Sequence, residues 1–142
     1  MIRQPRGDTT TWDAVLSHRA DEARIAAVER FEACGLAPVQ VEAVLEDGGD
    51  SLHAAAARGA EDWTDDFGGP LAVALLAAEV SALAAHLNSR ASSVRAQAVN
   101  NLLDDYSAVT VAARLGVSRQ KVYEIVKSTG GAFIDLVPWR RP

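Results

Sequence analysis

Between Leu71 and Leu87 the apolar residues Val73, Leu76, Val80, Leu83 and Leu87 recur at alternating spacings of three and four. A period near 3.6 gathers all five on one stripe of an α-helix, whereas a strand would divide them between two faces. Ala77, Ala78, Ala84 and Ala85 flank the stripe and let another helix come close. Two heptads are too few to settle what that helix is. It is either part of this chain's core or the same stripe of a second subunit. Glu79 and His86 interrupt the run, which is too short and too polar for a bilayer span, so no membrane association is expected.

The same periodicity elsewhere predicts an all-α chain. Thr9 to Thr11 offer caps for a first helix running to about Ala33, with Leu16, Ala20, Ala23, Ala27, Phe31 and Cys34 on its apolar face and Gly35 as its stop. Pro38 suits the first turn of a short helix ending near Glu46. Gly48 and Gly49 close that element, and Asp50 or Ser51 can cap the next, Leu52 to Ala60. Residues 61–70 read as an acidic connector; Glu61, Asp62, Asp65 and Asp66 lack the ligand spacing of a calcium loop. A long helix begins at Leu71, and a further one near Ser92 turns Val99, Leu102, Leu103 and Tyr106 inward. The expected organisation is an acidic helical part, 1–70; a central helix and possible dimer surface, 71–91; a functional module, 92–129; and an apolar, basic tail, 130–142. Cys34 is the only cysteine, so no intrachain disulfide can form. Residues 1–10 carry no apolar run of a secretion signal, which makes the cytoplasm the default compartment.

Charge is strongly polarised. Residues 1–91 carry seven arginines against fifteen carboxylates, a net of −8, while residues 92–142 carry seven Lys and Arg against four carboxylates, a net of +3. Together these give the −5 of the whole chain. An acidic body is repelled by phosphates and a basic tail is drawn to them. Both lysines, Lys121 and Lys127, lie in the basic part.

Within it, the stretch from Ser107 to Ser128 is the most informative. Ser107 reads as the cap of a helix ending near Leu115, with Tyr106 placed to staple onto Val111. Gly116 supplies the positive φ of a tight reversal, Val117 plugs the turn, and Ser118 caps a second helix. Val122, Ile125 and Val126 return that helix's apolar face to the core. This pattern resembles the helix-turn-helix of bacterial transcription regulators and of the C-terminal DNA-reading modules of serine recombinases. The matching core residues are Val111 and Ala112, then Leu115, Gly116 and Val117, then Val122 and Ile125. Ala112 is small where the two helices would cross. The resemblance covers about 22 residues and says nothing of the first hundred.

What the resemblance implies is sequence-specific binding of double-stranded DNA by a bacterial or phage protein, most simply a dimeric transcriptional regulator. The second helix would enter the major groove N-terminal end first, presenting Ser118, Arg119, Gln120, Lys121, Tyr123, Glu124 and Lys127. Arginine suits guanine and glutamine suits adenine, while Lys121 and Lys127 suit phosphates. Arg95, Arg114, Arg140 and Arg141 are candidates for backbone contacts. No enzymatic activity, metal or cofactor is expected: His18, His53 and His86 are isolated, and Gly48-Gly49 and Gly68-Gly69 lack the lysine of a phosphate loop. Trp12, Trp63 and Trp139 read as core anchors. Two alternatives stay open. One is a protein-interaction role, as an antitoxin or adaptor whose acidic half takes a basic partner. The other is an accessory subunit in DNA packaging or recombination.

Overall fold

A computed structural model describes residues 10–127. The tail residues Phe133, Ile134, Leu136, Val137, Trp139, Arg140 and Arg141 therefore lie outside the described part. The described residues are all-helical, with no strand among them. Its α-helices among the described residues are α1 (Trp12–Val15), α2 (Asp21–Ala33), α3 (Pro38–Glu46), α4 (Asp50–Arg58), α5 (Pro70–Asp105), α6 (Ala108–Leu115) and α7 (Arg119–Lys127), with one 3-10 turn at Asp65–Phe67. Contacts divide it into two compact units, one ending at Ala84 and the other beginning at Ala85.

The first unit packs α1 to α4 around the N-terminal half of α5. Leu16, Phe31, Val41, Val44, Leu52, Ala72 and Leu76 are all buried in one cluster, and Val73, Val80 and Cys34 pack at its edge. Trp12 stacks flat on Phe31, ring centroids 5.7 Å apart. Burial of each large side chain here is worth about 1.5–3 kcal/mol, which is what holds these short helices together. Gly68, at φ +106°, makes the turn into α5, and a Cβ there would sit 3.1 Å from the Cβ of Ala72. Leu76 is only 2% exposed, and Val73 and Val80, partly buried, pack with it against this chain's own helices. Leu83 is half-buried and Leu87 is 42% exposed.

Three local expectations need correcting. The single helix expected from Thr9–Thr11 to Ala33 is two, with a break over Leu16 to Ala20. The break turns His18 and Arg19 inward onto Glu79. That carboxylate accepts from Arg19 at 2.8, 3.0 and 3.1 Å and lies 2.6 Å from His18 Nε2, with its side chain 2% exposed. A buried carboxylate must be paired, and the helix yields to supply the partners. The new register leaves Ala20 and Ala23 exposed. The start of α4 is held by Asp47, whose carboxylate accepts from the Gly49 and Ser51 backbone N–H groups (2.8 and 3.3 Å), and not by Asp50 or Ser51. Finally, the helices expected from Leu71 and from Ser92 are one. No glycine or proline interrupts 71–105, and Ser93 donates to the Ser89 carbonyl within the helix (3.1 Å) instead of capping a new one. By length and composition this one helix could cross a membrane; the same stretch holds the paired Glu79.

Burial pushes the Glu79 carboxyl up, but the hydrogen bonds from His18 and Arg19 and the Arg19 charge outweigh it, leaving a net lowering. The hydrogen bond to Glu79 in turn raises the Arg19 guanidinium against the opposing effect of its burial.

Candidate functional site

The second unit contains the residues expected to act. The C-terminal half of α5 contributes Ala96 and Val99, α6 contributes Val111 and Ala112, and α7 contributes Val122 and Ile125 to one buried cluster. Leu103, Val117 and Val126 pack against it. Each helix is amphipathic and too short, α5 aside, to stand without this shared face.

The link between α6 and α7 follows from its sequence. Ser107 caps α6, its Oγ accepting from the Thr110 N–H at 3.2 Å. At the other end Gly116 adopts φ +70° and ψ +32°. Its N–H donates to the Ala113 carbonyl (3.4 Å), and the Val117 N–H reaches the Ala112 carbonyl (3.1 Å). These two bonds make a Schellman stop, sealed by contact of Val117 and Ala112 with the same apolar cluster. Ser118 then caps α7, its Oγ accepting from the Lys121 N–H at 3.0 Å. Two short helices are thus joined by three residues, Gly116, Val117 and Ser118, all of whose roles are local.

With Val122 and Ile125 buried (0% and 3% exposed), α7 turns Arg119, Gln120, Lys121, Tyr123, Glu124 and Lys127 outward. At 100° per residue, Gln120, Tyr123, Glu124 and Lys127 lie farthest from the buried face, with Arg119 and Lys121 on either flank. Lys121 and Glu124 approach at 4.0 Å, a loose surface pair. Neither Arg119 nor Lys127 is in an ion pair among the described residues. Ser118 is exposed beside them, as are Arg95 on α5 and Arg114 in the last turn of α6.

Several expectations for this region differ. Leu115 is 41% exposed and stands outside the core that was to include it. Leu102 and Tyr106 are also outside, 37% and 50% exposed, so no staple from Tyr106 onto Val111 belongs to the cluster. The cause is the register of α5: Ala96, Val99 and Leu103 face the cluster, and Leu102 is turned about 100° from Leu103. Ala96 carried no distinguishing signal in an alanine-rich chain, although its spacing of three from Val99 was available. Comparison with family models, curated proteins and solved structures yields no match.

Proposed function

We propose that this protein binds double-stranded DNA sequence-specifically through a helix-turn-helix made of α6, the Gly116 turn and α7, and that it acts in transcriptional regulation. The observation that carries the reading is the polar face of α7: its N-terminal end is anchored by a serine cap and its apolar side is held by Val122 and Ile125. Such a helix offers arginine and glutamine side chains, which match guanine and adenine edges in the major groove. Arg95, Arg114 and Lys127 supply charges for phosphates. Charge supports the same assignment. Residues 85–127 carry six Lys and Arg against three carboxylates, net +3, whereas residues 10–84 carry four against fourteen, net −10. Only the second unit is drawn to a polyanion.

Selection of bound duplexes from a random pool, followed by anisotropy titration of the best site, tests the reading. Arg119→Ala should weaken the selected site by about 1–3 kcal/mol and relax preference at one base position. Lys127→Ala should weaken all duplexes alike and flatten the salt dependence. No enrichment of any sequence, or an Arg119→Ala variant with unchanged specificity, rejects this use of α7.

One observation favours a second reading, capture of a basic protein partner by the first unit. Asp21, Glu22, Glu29 and Glu32 are all exposed on α2. Binding of a basic polypeptide that survives loss of DNA binding in Arg119→Ala would support it.

A further inference from the structure

Glu124 is the one carboxylate between Tyr106 and Lys127, a stretch that carries four Lys and Arg. It stands on the outward face of α7, on the same side as Gln120 and Lys127. With Val122 and Ile125 buried, a rotation of 100° per residue sets Glu124 about 40° from Gln120 and about 6 Å further along the axis. A negative charge at that place is repelled by the phosphates of any duplex that the face approaches. Its ion pair with Lys121, at 4.0 Å between side chains 58% and 48% exposed, is too long and too open to water to hold either side chain in place. Glu124 is therefore an acceptor with reach, set in the middle of a surface that is otherwise basic and neutral.

We infer, on the reading of α7 as the helix that contacts DNA, that Glu124 selects a cytosine by accepting from its exocyclic amine in the major groove. Edge chemistry singles out that base. Cytosine presents an amine donor in the major groove and no acceptor. Guanine presents two acceptors, thymine presents one, and adenine sets an acceptor beside its amine. A carboxylate can only accept, so cytosine alone meets it with a donor and no opposing lone pair. The charge that weakens binding to every duplex is offset only where cytosine lies opposite it, and this turns a repulsive group into discrimination. Base pairs rise about 3.4 Å each, so the cytosine should fall within about two base pairs of the adenine that Gln120 suits.

Anisotropy titration of the full chain tests this on its best selected duplex, on that duplex with each other base pair at the cytosine position, and on a random-sequence duplex. In the parent, any other base pair there should weaken binding about tenfold. So should 2-pyrimidinone in place of cytosine, which lacks the amine but keeps the rest of its pairing to guanine. Glu124→Ala, a change at an exposed position that should keep the helical circular dichroism, should erase both penalties. It should also tighten binding to the random duplex about threefold at low salt, the size of one like-charge contact in water. Glu124→Gln should tighten that binding too and accept several bases, because an amide both donates and accepts. Equal tightening on all duplexes with the preference intact would leave Glu124 a repulsive charge only. No change on any duplex would leave it a surface partner of Lys121. Either result, or a selected site without a cytosine that depends on Glu124, overturns the inference while the DNA-binding reading stands. Failure to enrich any sequence rejects that reading, and this inference with it.

Discussion

Glu79 is the residue at which a single change should reveal most about this fold. Its side chain is 2% exposed, and Arg19 supplies three of its hydrogen bonds. Arg19→Met keeps the aliphatic stem and removes the guanidinium, leaving a buried carboxylate with His18 as its partner. Breaking a buried pair from one side costs about 3–5 kcal/mol; the surviving His18 contact places the expectation at the lower end, about 3 kcal/mol. Against a typical domain stability of about 5–15 kcal/mol that is a large fraction. Urea unfolding followed by circular dichroism measures it. Arg19→Met with Glu79→Leu should recover much of the loss, because an apolar pair leaves nothing unsatisfied. The pH dependence separates this account from simple packing. In the parent, Glu79 is held below its ordinary value, so the unfolded chain binds the proton more readily. Its contribution is then fully present above the unfolded carboxyl value, near pH ~4.3, and is lost as pH falls through the lower folded value. In Arg19→Met the effect of burial is opposed by His18 alone, so this rise of stability with pH should flatten. A loss below about 1 kcal/mol, the range of an exposed pair, or an unchanged pH profile would refute the argument.

Other expectations follow from single elements. Gly116→Val should destabilise the second unit by about 1–3 kcal/mol through backbone strain, since φ is +70° and a Cβ there would meet nothing within 4 Å; thermal unfolding reads it. Leu76→Glu should unfold the first unit, while Leu87→Glu, at a 42% exposed position, should keep its helical dichroism. Asp47→Ala should cost about 0.5–1 kcal/mol by releasing the Gly49 and Ser51 N–H groups. The Ser51 hydroxyl hydrogen bond leads the effects that lower the Asp47 carboxyl, so in the parent this contribution is present above the ordinary carboxyl range and fades on acidification; denaturation midpoints across acidic pH check it.

The contrast between Ser118 and Glu79 shows which parts of this molecule were legible from residues alone. Ser107, Gly116 and Ser118 act on backbone groups one to four positions away. Their effect is therefore written into the order of neighbouring residues, and the boundaries of α6 and α7 could be read there. The outward positions of Arg119, Gln120 and Lys127 follow from the same local order once Val122 and Ile125 are taken as buried. Glu79 is bound by residues sixty and sixty-one positions earlier. Nothing near it in sequence reports that distance, and as a lone charge in an apolar run it reads only as an interruption.

That long-range pair is also why the first helix breaks where its local sequence predicts continuity. Local propensity favours continuing from Trp12 through Ala33, and the apolar spacing allows it. Tertiary pairing of a buried charge involves several kcal/mol, more than the tenths of a kcal/mol per residue by which helix propensities differ. The break at Leu16 to Ala20 is thus the local cost of satisfying Glu79. The α5 stripe is a different case. Periodicity identifies an apolar face but not what covers it: in the first unit Val73, Leu76 and Val80 pack against the chain's own helices, whereas in the second unit Ala96, Val99 and Leu103, and not the exposed Leu87 and Val94, face α6 and α7. A substitution at the buried Leu76 therefore reports on folding of the first unit, whereas one at Val94, 58% exposed, should leave the helical dichroism intact, although both sit on one helix and in one apolar pattern.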